Sequence, residues 1–141
     1  MSWTDPEDPR WTPLLEAAWT ARQRAHAPYS HFQVGAALLS RGAIVAGCNV
    51  ENASYPMCTC AERTALCAAV AQGMRPGELE ALVVVTEAET LTPPCGACRQ
   101  VLAEFAADMP ILLANKGARA CFTLAALLPE AFRADNFLPS S

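Results

Sequence analysis

A chain of 141 residues fits one compact domain, and its 52% apolar content exceeds what so small a body buries alone, which points to contact with copies of itself. A formal charge of −4, with no two Lys or Arg adjacent, excludes the cationic surface that polynucleotides require, so no nucleic acid is expected and the partner should be small. No apolar stretch reaches the ~20 residues of a membrane span, and seven cysteines without a secretion signal are expected to be free or metal-bound in a reducing cytoplasm.

Residues 1–11, rich in Asp and Pro, read as a flexible N-terminal arm, and 12–141 as a single domain. Thr12-Pro13 resembles an N-cap followed by a first-turn proline, and Leu14, Leu15, Ala18 and Trp19 share one face. A helix is therefore predicted to about His26, ended by Ala27-Pro28-Tyr29-Ser30. Strands follow from Phe32 to Leu39 and from Ala43 to Asn49, joined by the turn Ser40-Arg41-Gly42. A second helix runs from Thr59 to Gln72 and closes at Gly73. Leu82-Val83-Val84-Val85, within 81–86, suits a strand buried on both faces. A third helix from Gly96 to Ala107 and strands at 111–114 and 120–123 complete the chain. This alternation predicts an α/β fold: a three-layer α/β/α sandwich around a mixed five-stranded sheet.

Two segments carry chemistry. Thr59-Cys60-Ala61-Glu62-Arg63 opens the second helix, and Pro94-Cys95-Gly96-Ala97-Cys98-Arg99-Gln100 opens the third. If both helices start at one sheet edge, three thiols meet where helix dipoles favour thiolate. Zinc suits soft sulfur ligands, and three of them leave one tetrahedral position open, as catalytic sites do. Three thiolates around Zn²⁺ sum to a charge of −1, which Arg63 is placed to offset, with Arg99 a second candidate. Glu62, two residues from a ligand, is close enough to take a proton from water.

Simpler readings stand beside this one. Thr59-x-x-Glu62 also fits a capping box, Cys95-x-x-Cys98 a redox pair, and Cys58 a fourth ligand that would close the site. The combination separates them. Zinc deaminases show His-x-Glu and then Pro-Cys-x-x-Cys, with three cysteines as a variant, and this chain has Cys60-x-Glu62 and Pro94-Cys95-x-x-Cys98. Redox chemistry and a closed site have no use for that glutamate.

With these motifs the sequence resembles the cytidine deaminase family, in its short-chain branch with an all-cysteine zinc site. The resemblance extends to Pro28–Leu38, to Gly47–Tyr55 and to Leu127–Phe132, and covers roughly 12–138 in order. It implies that Cys60, Cys95 and Cys98 hold zinc, that Glu62 moves protons and that Arg63 bonds a thiolate. It further implies that Phe32 stacks on the pyrimidine, that the Ala61 backbone meets its O2, and that Asn49 and Glu51 bind the ribose 3′-hydroxyl. Ala53, Tyr55 and Phe132 would complete a neighbour's pocket, because this branch forms homotetramers with shared active sites. The implied reaction is hydrolytic deamination of cytidine and 2′-deoxycytidine in pyrimidine salvage. A cytosine-nucleoside antibiotic such as blasticidin S is the alternative substrate.

Overall fold

The computed structural model describes residues 3–138. Five strands, β1 (Gly35–Ser40), β2 (Ala43–Cys48), β3 (Leu79–Val85), β4 (Pro110–Ala114) and β5 (Arg119–Thr123), form one sheet in the order β2-β1-β3-β4-β5. β3 and β4 are parallel and every other neighbouring pair is antiparallel. The two-residue turn Arg41-Gly42, with both φ values positive at 51° and 76°, reverses the chain with the twist that a tight hairpin needs.

Strand alternation divides the interior into two cores. Ala37, Ala81, Val83, Val85, Leu112 and Ala114 face one side, where helix α1 (Trp11–Arg22) covers them with Trp11, Leu14, Leu15 and Ala18. Ala36, Leu38, Leu82, Val84, Ile111 and Leu113 face the other, under helices α2 (Ala61–Ala71) and α3 (Gly96–Ala103) and the short α4 (Leu124–Leu127). Because β3 from Ala81 onward and β4 are covered on both faces, these stretches are apolar without a break, and only Glu80, near the start of β3, is polar and exposed. The expected three-layer mixed-sheet sandwich is the fold observed.

Several boundaries differ from the sequence reading, among them the end of α1, at Arg22 where about His26 was expected. Helix α1 starts at Trp11, not after Thr12, because carbonyls of the preceding turn take its first N–H groups: Trp11 N donates to Asp8 O and Thr12 N to Pro9 O. Strand β1 starts at Gly35 because Asn49 ties the preceding residues: its Nδ2 donates to Phe32 O and its Oδ1 accepts from Val34 N, each at 2.8 Å. Helix α3 ends at Ala103, four residues short of the expected end.

Residues 3–10, within the segment expected to be an arm, pack onto the α1 face. Trp3 meets Trp11 edge-on at 4.6 Å, and the Arg10 guanidinium lies 4.3 Å over the Trp3 ring. The buried Asp8 carboxylate accepts from the Arg10 backbone and side chain, and Trp11 Nε1 donates to Asp5 O. Met1 and Ser2 lie outside the described residues.

Gly35 is where α1 touches the sheet. A Cβ there would lie 2.0 Å from Ala18 O and 2.8 Å from Arg22 Cβ, so backbone would have to move. Gly35→Ala is expected to cost about 3 kcal/mol or more, lowering the thermal midpoint by roughly 5–10 °C in a chain of this size. Gly117→Ala, whose Cβ meets nothing closer than 4.0 Å, should leave the midpoint unchanged; equal midpoints for the two variants would remove this contact from the account.

Candidate metal centre and adjoining pocket

Both sulfur-bearing helix starts are presented by extended residues. Cys60 (φ −72°, ψ 153°) and Cys95 (φ −67°, ψ 169°) occupy the N-cap positions of α2 and α3, and Cys98 lies one turn into α3. Neither thiol caps the backbone N–H groups of its own helix, so both remain available to a metal. The start of α2 is held to the end of β2 by paired backbone bonds between Val50 and Thr59 at 2.9 Å, and by Thr64 Oγ1 donating to Cys48 O at 2.8 Å. The loop before α3 is held by Arg99, whose Nε donates to Pro94 O (2.7 Å) and whose Nη1 donates to Leu127 O (2.8 Å). Arg99 therefore anchors backbone and does not reach a thiol, a correction to its reading as a second charge partner.

Among the described residues, Cys60, Cys95 and Cys98 form the one cluster able to hold a metal ion, with ligand atoms all within 4.8 Å of one another. The Cys60–Cys95 and Cys95–Cys98 sulfur separations are 4.0 and 3.6 Å. Tetrahedral zinc with sulfur at ~2.3 Å places its ligands ~3.8 Å apart, so the triangle fits that ion. Cys58 stands outside it: its Sγ accepts from Asn52 N at 3.3 Å. The closed four-cysteine reading is thereby excluded.

The charge environment is graded. Hydrogen bonding from Cys98, then from Arg63, brings the Cys60 thiol down to about 5 despite its burial. Cys98 moves the other way, first because it donates to Cys60 and then through burial, so the metal-free triangle keeps a proton where a cation would displace it. Arg63 Nη2 donates to Cys60 Sγ at 3.3 Å, as the charge argument requires. Glu62 is 5% exposed, and burial pushes its carboxyl up to about 6. The capping box with Thr59 does not form: Thr59 N donates to Val50 O, leaving the Glu62 carboxylate free of that task.

A cavity of about 290 Å³ adjoins the triangle. Phe32, Asn49, Glu51, Cys60, Ala61, Glu62 and Cys95 line it, seven residues singled out in the sequence. Ser30, Val34, Cys58, Thr59, Val84, Thr92 and Pro93 line it too. It sits at the small end of ligand pockets and is mostly apolar, with polar groups at one end. A groove of about 770 Å³ between α1 and the β4–β5 turn is larger, but contains no cluster of nucleophilic or metal-binding groups, so size alone does not identify a site. Ala61 belongs to the first turn of α2, whose N–H groups lack intrahelical acceptors and can meet a carbonyl.

At the polar end, Glu51 Oε1 accepts from Tyr29 N (3.0 Å) and Ser30 N (3.1 Å), while Oε2 accepts from the Ser30 hydroxyl. The Ser30 hydroxyl, then its N–H, holds the Glu51 carboxyl below the usual carboxylate range. Ser30 was legible as part of a helix stop and of the Pro28–Leu38 stretch, without a role of its own, and its contact with Glu51, 21 positions away, has no local signal.

Ala53, Tyr55 and Phe132 lie outside the cavity. All three are exposed, Tyr55 by 69% and Phe132 by 60%. Phe132 stacks on Phe137, and Gln100 Nε2 donates to its carbonyl at 2.7 Å, fastening the C-terminal segment beside α3.

Comparison with known proteins agrees with this geometry. Residues 11–113 match the model of the cytidine and deoxycytidylate deaminase zinc-binding region. The chain is 49% identical to a cytidine deaminase of Sporosarcina psychrophila over 126 residues, covering 87% of this chain and 91% of that protein. It is 48% identical to one of Halalkalibacterium halodurans, covering 87% and 94%. The crystal structure of the Burkholderia pseudomallei cytidine deaminase superposes with a TM-score of 0.83 at 51% identity, covering 86% of this chain and 98% of that one. The Mycobacterium tuberculosis cytidine deaminase gives 0.74 at 40% identity, with 89% and 98% covered.

Proposed function

From the premise that the chain belongs to the cytidine deaminase family, we propose how its own residues perform that family's reaction. The chain is a zinc-dependent hydrolase that converts cytidine and water to uridine and ammonia. The observation that carries the reading is the three-sulfur triangle with the buried Glu62 beside it, opening on one small apolar cavity.

Cys60, Cys95 and Cys98 hold the zinc, which when bound supplies the activation of a water molecule for attack at C4 of the pyrimidine. Glu62 takes a proton from the attacking water and delivers it to N3; it then takes the remaining proton of the hydroxyl added at C4 and passes it to the amino group, which departs as ammonia as C4 becomes the carbonyl. Its raised affinity for protons suits both acceptance and return near neutral pH. Arg63 offsets the sulfur charge. Phe32 stacks on the base and the Ala61 N–H donates to O2.

Asn49 and Glu51 take a sugar hydroxyl, and a count of their capacity supports this. Asn49 has one N–H left after Phe32 O, and Glu51 Oε2 has room for one more donor after Ser30. One free donor beside one free acceptor match a single hydroxyl, the 3′ group shared by cytidine and 2′-deoxycytidine, so both are substrates. The exposed Ala53, Tyr55 and Phe132 complete a neighbour's cavity in a homotetramer, supported by exposed apolar side chains around the cavity mouth and the C-terminal segment. Residues 12–141 act as one domain with 1–11 appended, working in cytoplasmic pyrimidine salvage. No helix among the described residues is long and apolar enough to cross a membrane.

The direct test follows the loss of cytidine absorbance by purified protein, with uridine and ammonia identified as products. Turnover should stop on zinc removal by a chelator and return on adding Zn²⁺. Zinc-independent turnover, or bound zinc with no reaction on cytidine, would sink the proposal.

A further inference from the structure

Ser30 occupies an unusual position in the pocket. Its hydroxyl donates to Glu51 Oε2 and accepts the backbone N–H of Phe32 at 3.0 Å. Its own N–H donates to Glu51 Oε1 at 3.1 Å. A serine oxygen that accepts from the N–H two residues on makes a tight side-chain turn. Here His31, between the two, takes a left-handed φ of 58°, which residues other than glycine adopt only where their surroundings hold them. One hydroxyl therefore spans the carboxylate of one segment and the backbone of the aromatic residue on another.

The consequence follows from counting. Without the Ser30 hydroxyl, Glu51 Oε2 loses its protein partner, and the carboxylate is held through Oε1 alone, by the Tyr29 and Ser30 N–H groups, so its tilt toward the pocket is less tightly fixed. The Phe32 N–H loses its acceptor in the same step. We infer that Ser30 is a positioning residue that aims the Glu51 carboxylate at a sugar hydroxyl and registers it to the Phe32 ring. It touches neither zinc nor the reacting carbon. The inference rests on the reading of Asn49 and Glu51 as the sugar subsite.

The test compares kcat/KM for cytidine and 3′-deoxycytidine in zinc-loaded enzyme. In the wild type, cytidine should be preferred, because a charge-assisted hydrogen bond is made only with the hydroxyl present. Ser30→Ala should shrink that preference by about tenfold, mainly through a raised KM for cytidine, and Ser30→Thr, which keeps the hydroxyl, should restore it. A serine that merely shapes the turn would lower both substrates by one factor and leave the ratio unchanged, which overturns the inference. Zinc content and thermal midpoint are measured beside the kinetics. Should Ser30→Ala fail to fold, Ser30→Cys, whose thiol is a weak donor, must show the same narrowing, and an unchanged ratio there overturns the inference too. A wild-type ratio near one would instead overturn the sugar subsite itself, and with it the role of Ser30; that outcome is recognised before any substitution is made.

Discussion

Glu62→Gln should retain one zinc per chain and lose turnover by a factor of about 10³, within the range for removing a general acid–base group. The amide keeps the volume of the side chain in a site that is 5% exposed, so packing is preserved while the proton acceptor is lost. Steady-state kinetics with metal analysis on the same sample check this, and deamination within tenfold of wild type would remove Glu62 from the mechanism. The same exchange acts on stability in the opposite direction. In the zinc-free protein, burial lifts the folded-state carboxyl to about 6 from its ordinary 4.5, so ionised Glu62 opposes folding above that range. Glu62→Gln should then be more stable than wild type at pH 7 by up to about 2 kcal/mol. The difference should vanish below the ordinary value, where the acid is neutral in both states. Urea unfolding of zinc-free samples at pH 7 and pH 4 reads the sign.

Cys98→Ser should abolish zinc retention and activity together. Cys98 is fully buried, its sulfur stands 3.6 Å from that of Cys95, and the Cys58 thiol is engaged by Asn52 instead. A serine hydroxyl does not ionise near neutrality and offers a hard, shorter donor, leaving two sulfurs to hold the ion. The loss of affinity should exceed the roughly 10–100-fold that follows removal of a supporting partner of a metal ligand. Zinc analysis after dialysis, with a thiol titration, measures it. Retention of a full zinc equivalent by this variant would show that the triangle is not the site. Cys58→Ser gives the contrast: that thiol bonds Asn52 and should leave zinc content unchanged.

How far the sequence led differs from element to element. The run Leu82–Val85 announced a strand covered on both faces, and β3 is such a strand from Ala81 onward, where no polar residue interrupts it. Short α4 went unread: its four residues are too few to show a period, and it is held by Thr123 capping Ala126 N and by Asp108 accepting from Ala125 N. The start of β1 was misplaced by three residues because Asn49, from the next strand's end, replaces ladder bonds with side-chain ones. Arg63 was placed correctly on charge and helix spacing, whereas Arg99, on similar grounds, was not: its bonds run to carbonyls at Pro94 and Leu127 that no spacing rule connects.

By itself, the order of residues determined the chemistry: which thiols open helices, which carboxylate lies beside them, and what ion such donors prefer, since these depend on residue type and on separations of two to four positions. Tertiary structure alone decided that the two helix starts meet, that Cys58 stays out, that burial brings the Glu62 carboxyl up to about 6, and that Ser30 faces Glu51. Those outcomes depend on contacts between segments far apart in the chain, which form only when the sheet orders its strands and excludes water from between the layers.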